Sequence, residues 1–417
     1  MLTPQYFGQL QGNRTSQEPC TSTHLAGKPL TVSQRLNVQL HAEQRATALA
    51  PRMTAIDVGL NARAFTVEEP GGSVQAGQAL SDALFERDGL RPRLFGHESL
   101  ADRAEAPVSS TGYLRQTQPF GVVWENTLLP VLGWRSEIDV LFSPTTNAPP
   151  YPTPFGNVLF IQDMGPERGH HGRLQRLYRR AVLPRAARHA DAIVTISAFC
   201  KREITALLDV DPAKIHVIHN GIRSSFHEPG GGEPVALPEP YVLFVGAMNP
   251  RKNIGALVKA FDRLKARTEL PHTLVLAGPQ NKFFFDDLSV ADREHIRHVG
   301  FLSMPELKYA YRQASLFVFP SAYESFGLPP VEAMASGTPV IANEDETQTA
   351  FPEVLGDAAL LTGTGPEELA AAIERVLTDE QLAARLTSRG AARAERYTWD
   401  RAAEELAGVV RTVARSS

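Results

Sequence analysis

The chain has 417 residues, 43% of them hydrophobic and 21% charged, with a formal charge of −4. That length and apolar content can bury two cores of ordinary domain size. The weak net acidity excludes a general attraction to nucleic acid, and no apolar run of about 18 residues exists to span a membrane. Only two cysteines occur, Cys20 and Cys200. Neither has a metal-ligand spacing or an evident disulfide partner, so a reducing cytoplasm is the expected home.

Residues 1–50 are rich in Gln, Thr, Ser and Asn and poor in large apolar side chains. Such a composition cannot offset the entropy of ordering. The segment is expected to be a disordered extension, or the product of a start codon placed too early. It lacks the charged start and apolar stretch of a secretion signal.

From Thr54 strand-like and helix-like segments alternate, the pattern of parallel α/β sheets covered on both faces. Residues 51–226 are expected to form a first domain. Its strands are read at Ala55 to Leu60, Asp139 to Phe142, Val158 to Ile161, Ala192 to Ile196 and Ile215 to Ile218, with helices at about Val74 to Glu86 and Gly172 to His189. Gly71 and Gly72 permit a bend before the first helix. Gln162 and Asp163 follow a strand. Arg168, Arg173, Arg176, Arg179, Arg180, Arg185 and Arg188 crowd one segment. Two readings of residues 168–188 stand: a solvated helix face, or contact with an anionic membrane surface or lipid-diphosphate acceptor. His170 with His171 lack a third ligand, Asp209 with Asp211 lie in the loop before the Ile215 strand away from any donor motif, and His295 with His298 have no partnering motif, so no metal site is expected.

Residues 227–240 read as a linker, and a second series fills residues 241–395. Its strands are read at Tyr241 to Val245, Thr273 to Leu276, Leu316 to Phe319, Val340 to Ala342 and Ala358 to Leu361. Gly246 ends the first of them, and Arg251 and Lys252 follow where a helix opens. Gly278 and Gly300 mark further strand ends. After the apolar run to Pro320, Gly327 allows a tight bend, Pro330 suits the first position of a helix, and Gly337 and Pro339 suit the positions beyond its end. Such a strand, loop and helix start aims free N–H groups at an anion. Glu324 and Glu332 are odd company for a phosphate unless they bind hydroxyls. Residues 396–417 hold a last helix that Thr398 or Asp400 can cap.

Glu324 and Glu332, with Phe-Gly-Leu-Pro between them and Glu-Ala-Met-Ala-Ser-Gly-Thr-Pro-Val following, resemble the signature of the family 4 retaining glycosyltransferases of the GT-B fold. The similarity runs roughly from Thr54 to Val413. It implies an α/β architecture of two facing Rossmann-like doubly wound domains with an interdomain cleft, and a last helix crossing back to the first domain. It further implies that Glu324 holds donor-sugar hydroxyls, that the backbone of Ser325, Phe326, Gly327 and Leu328 beside Gly246 holds a diphosphate, and that Glu332 holds the ribose. Backbone near Phe301 and Leu302 would read the nucleobase. Gly71, Gly72, Gln162 and Asp163 would line the acceptor side. Lys252 matches a family lysine, and Arg251 would replace an arginine whose position is Ala247 here.

The activity so implied moves a hexose, mannose-like, from a nucleotide diphosphate sugar to a hydroxyl of a glycan or lipid-linked acceptor in cell-surface polysaccharide synthesis. Glu324, Lys252 and Arg251 would act with no metal or cofactor. The expected site of action is cytoplasmic, with or without peripheral contact at the inner face of the membrane. Two departures matter. Gln162 stands where the family often has His and cannot titrate. The acidic run from Asn343 leaves the donor sugar open. A non-catalytic scaffold, which Ala247 and Gln162 favour, and a nucleotide-sugar epimerase are the alternatives.

Overall fold

The computed structural model describes residues 55–66, 72–97, 108–110, 118–165, 173–228, 230–279 and 293–416. Seven strands, Ile56–Asn61 (β1), Leu90–Gly96 (β2), Val108–Ser110 (β3), Val140–Ser143 (β4), Gly156–Ile161 (β5), Ala192–Thr195 (β6) and Ile215–Val217 (β7), make a parallel sheet in the order β3-β2-β1-β4-β5-β6-β7. Six more, Tyr241–Val245 (β8), Thr273–Ala277 (β9), Ile296–Gly300 (β10), Leu316–Phe319 (β11), Val340–Asn343 (β12) and Leu360–Thr362 (β13), make a second parallel sheet in the order β10-β9-β8-β11-β12-β13. Strands β4, β5, β6, β11 and β12 are buried at every residue, as strands covered by helices on both faces must be. Each sheet reverses its order, between β1 and β4 and between β8 and β11. A crevice opens beyond the carboxyl ends of the strands at such a reversal.

Several elements differ from the sequence pattern for physical reasons. Leu90–Gly96 carries Arg91, Pro92 and Arg93 and so hides its strand character, while Ile296–Gly300 is an edge strand with mostly half-exposed side chains. The helix Gln118–Arg135 lacks a clear polar stripe and holds Pro130 within it. β13 begins at Leu360 and not at Ala358, because Gly356, at φ +54°, leads residues Gly356–Ala358 into a 3-10 turn. The helix of the signature begins at Leu328 and not at Pro330. Gly327 at φ +93° is its N-cap, so Pro329 and Pro330 fall in the first turn, where an absent N–H costs nothing.

Residues 230–240 form neither helix nor strand and lean on the Met304–Gln313 helix, where Glu233 N donates to Pro305 O at 3.1 Å. The last helix, Trp399–Ser416, packs against the helix Gly72–Phe85. Of the two expected caps, Thr398 does the work, its hydroxyl accepting from Arg401 N at 3.3 Å; Asp400 pairs instead with Arg87 at 2.5 Å. Just before that helix, Ile222 N donates to Tyr397 O at 2.9 Å, so the two crossings between the halves of the chain touch. Among the described residues no helix is long and apolar enough to cross a membrane.

Candidate active site

The second sheet presents its reversal point through two glycine bends. Gly278, after β9, has φ +135°, and a Cβ there would lie 2.1 Å from Gly246 O, so only glycine lets these strand exits touch. Gly278 N donates to Gly300 O at 2.7 Å, which sets the start of the Phe301-Leu302 segment beside them. Phe301 is 81% exposed whereas Leu302 is buried. Beneath β8 and β11 the rings of Phe244 and Phe319 stack at 5.5 Å, a floor for the residues above.

Lys252 and Arg251 precede the next helix instead of opening it. They form a 3-10 turn, Pro250–Lys252, and the helix Ile254–Arg267 follows only after Asn253 turns left-handed at φ +54°. The turn throws Lys252 inward. Its ammonium donates to the carboxylate of Glu324 and stands 4.7 Å from the centre of the Phe319 ring. Ser321 Oγ donates to the same carboxylate at 3.3 Å. The backbone of Glu324 is pinned on both sides, its N donating to Gln348 O at 3.2 Å and its O accepting from Ala350 N at 2.8 Å. The acidic run is thus strapped beside Glu324 by main chain, while Glu344, Asp345 and Glu346 themselves face solvent. The Arg251 guanidinium lies 5.9 Å from the centre of the Tyr323 ring.

The signature loop then runs into its helix. Among the described residues the N–H groups of Ser325, Phe326, Gly327 and Leu328 meet no acceptor, and they lie at a helix start carrying positive dipole. Phe326 contributes backbone only, its ring being edge-on to Tyr397 at 5.4 Å. Glu332, one turn on, accepts from the Tyr311 hydroxyl at 3.1 Å. Burial pushes its carboxyl up to about 7, against the Tyr311 hydrogen bond and the Arg223 charge. A cleft of about 350 Å³ brings Glu332 and Leu328 together with Gly72, Gln75, Arg223 and Trp399, so one residue of the first-loop glycine pair lines the same cleft as Glu332. Gly71 lies outside the described residues.

Just beyond β5, Gln162 Nε2 donates to Ser73 O at 2.6 Å, fixing the start of the first helix and leaving that nitrogen committed to main chain. Asp163 accepts from Gly165 N at 3.0 Å, closing a turn. With Ser73, Thr145 and Thr146 they line a small pocket of about 70 Å³. The hydroxyls of Thr145 and Thr146, two and three residues beyond β4, escaped the sequence reading because nothing local distinguishes them. So did a buried polar cluster at the end of β1, where Asn61 Nδ2 and Arg63 reach Glu125 at 3.0 Å each.

Glu353 stands in the sequence Pro352-Glu353-Val354, downstream of the acidic run. It accepts from Ala198 N at 2.8 Å and Phe199 N at 3.1 Å, capping the Ala198–Leu208 helix from the opposite half of the chain, and meets His219 Nε2 at 3.0 Å. Burial raises its pKa, but the His219 bond and the two N–H groups outweigh that and hold it below the usual range. Of the expected non-sites, Asp211 caps a short turn, and His295 and His298 hydrogen-bond to Asp262 and Gly278 O. Among the described residues no group of acidic, His or Cys side chains could hold a metal ion. Arg180, Arg185 and Arg188 are exposed; Arg168, His170 and His171 lie outside the described residues.

Two facing doubly wound sheets, the second with a glycine-capped helix start at its reversal, define a GT-B fold. The description "Glycosyl transferases group 1" matches residues 233–393 and "Glycosyltransferase Family 4" matches residues 151–226. The chain belongs to the group 1 glycosyl transferases of family 4 type. It is 32% identical over 223 residues to O-antigen chain mannosyltransferase B of Escherichia coli, 51% of this chain and 58% of that protein. It is equally 32% identical over 214 residues to the O-antigen chain mannosyltransferase RfbU of Salmonella typhimurium, 50% of this chain and 57% of that one. The chain therefore spans under two thirds of the length of these relatives. Among solved structures, Anabaena HepE in complex with UDP and glucose superposes with a TM-score of 0.63 at 19% identity, over 86% of this chain and 100% of that one.

Proposed function

We propose that the protein is a retaining, metal-independent glycosyltransferase that moves mannose from a nucleoside diphosphate donor to a hydroxyl of a growing O-antigen or related polysaccharide. The observation that carries this reading is the Lys252–Glu324 pair set beside the unpaired N–H groups of Ser325 to Leu328 at the reversal of the second sheet. Glu324 would accept from hydroxyls of the donor sugar. Lys252, Arg251 and the amides would hold the diphosphate, where charge grows as the anomeric carbon parts from its phosphate oxygen. The acceptor oxygen then bonds to that carbon on the same face, and its proton passes to the departing phosphate, so no titrating base is required of Gln162. Glu332 would hold the ribose. The mannose and the polysaccharide acceptor are supported by the names of the two bacterial relatives.

A panel of nucleoside diphosphate sugars tests this directly, since a ligand of the folded state raises the melting temperature by mass action. A mannose donor is expected to give the largest shift, and transfer in the presence of EDTA is expected to yield the α-linked product with Glu324→Ala inactive. If no sugar nucleotide shifts the melting curve, the non-catalytic reading suggested by Ala247 and Gln162 stands instead.

A further inference from the structure

One phenol joins the donor loop to the acceptor loop. The Tyr323 hydroxyl donates to Glu203 Oε2 at 2.7 Å and accepts from Met164 N at 3.3 Å. All three residues are buried, at 2%, 5% and 0% exposure. Tyr323 immediately precedes Glu324, while Met164 immediately follows Gln162 and Asp163. Glu203 stands on the Ala198–Leu208 helix, whose N-cap Ser197 donates through its hydroxyl to Ser325 O at 2.8 Å. The same ring meets Phe199 edge-on at 5.8 Å, with the Arg251 guanidinium 5.9 Å from its centre. Burial and the Glu203 carboxylate raise the phenol far above its ordinary range, so it keeps its proton and stays a donor. A carboxylate and a phenol are costly to hold in an apolar contact unless each is matched. Their pairing therefore favours a single relative setting of the two loops over neighbouring ones.

We infer that Tyr323 is a positioning residue: through Glu203 and Met164 it sets Glu324 and the Gln162–Asp163 loop in mutual register, so that donor sugar and acceptor hydroxyl meet. The inference rests on the glycosyl-transfer reading for its consequence, but the coupling itself is independent of it. The amide cradle and Lys252 hold the donor without the phenolic oxygen. Removing that oxygen should therefore spare donor binding and damage transfer.

The test compares the full chain with Tyr323→Phe, Glu203→Gln and Glu203→Ala by amide hydrogen exchange without ligand, and by kinetics with the donor identified above. In Tyr323→Phe and Glu203→Ala, exchange is expected to rise about tenfold in residues 162–165 and 323–325 together, with other segments unchanged. Turnover should fall at least tenfold at a donor KM within about twofold of wild type. Glu203→Gln, which keeps an acceptor for the phenol, should restore both readouts. The inference is overturned if only the substituted loop exchanges faster, if every segment does so equally, or if KM rises while turnover holds. Should the wild type bind no sugar nucleotide, the functional reading falls, and the exchange comparison still decides the coupling.

Discussion

The ammonium of Lys252 and the carboxylate of Glu324 pair above the Phe319 ring, both side chains largely withdrawn from water at 11% and 17% exposure. Each is the other's neutralising partner until a ligand enters. A sugar diphosphate would take both at once, its hydroxyls on one and its phosphate on the other.

That relationship predicts the behaviour of single and double variants. Lys252→Ala strands a carboxylate and Glu324→Ala strands an ammonium, each destabilising by ~3 kcal/mol or more, while the double variant costs less than their sum. A urea-denaturation cycle reads this coupling. Either single change should also lower turnover by ~10²-fold or more, the scale of losing one preorganised group against developing charge.

Gly327 carries the bend that opens the amide cradle. Its φ of +93° disfavours any L side chain, and a Cβ there would approach Phe351 Cε1 to 2.5 Å. Gly327→Ala is expected to destabilise by ~1–3 kcal/mol and to weaken sugar-nucleotide binding by more than its loss of stability explains. Calorimetric melting and titration of the same sample separate the two effects.

Glu332 makes stability depend on pH with a defined sign. Its carboxyl sits at about 7 in the fold, against 4.5 for an unperturbed one, so the folded chain holds a proton that the unfolded chain has lost between those values. Stability from this group therefore falls as pH rises through that window and levels off above about 7. Glu332→Gln should be more stable than wild type by on the order of 1–3 kcal/mol at pH 8, with the gain vanishing at acid pH. Chemical denaturation at the two pH values reads the difference.

Glu353 has the opposite sign. Its lowered pKa means that its contribution is complete above the ordinary carboxylate range and is lost as pH falls through the depressed value. Glu353→Ala leaves the N–H groups of Ala198 and Phe199 without their acceptor, a loss of ~1–3 kcal/mol at neutral pH. Its acid-unfolding midpoint should lie at higher pH than that of the wild type.

How far the sequence carried the reading depended on whether the signal was local. Buried strands such as Leu316–Phe319 and the glycine that caps the signature helix announce themselves within a few residues. Arg-bearing β2 and the helix Gln118–Arg135 do not, because their character is decided by what packs on them. The same divide runs through the site. Glu324, Lys252 and Glu332 stand in short local runs, the ones that carry the resemblance to the family. The partners of Glu332 and Tyr323, which are Tyr311 and Glu203, do not, since they lie 21 and 120 residues away and meet them only through the fold.

The contact between Ile222 and Tyr397 has a mechanical corollary. Two passages of chain that run side by side and are joined by main chain act like two pins set in one plate. A Cβ on Gly221 would fall 2.2 Å from Trp399 N, so the pins are set too tightly for a bulkier residue. The two passages are therefore held at one fixed spacing where Gly221 meets Trp399.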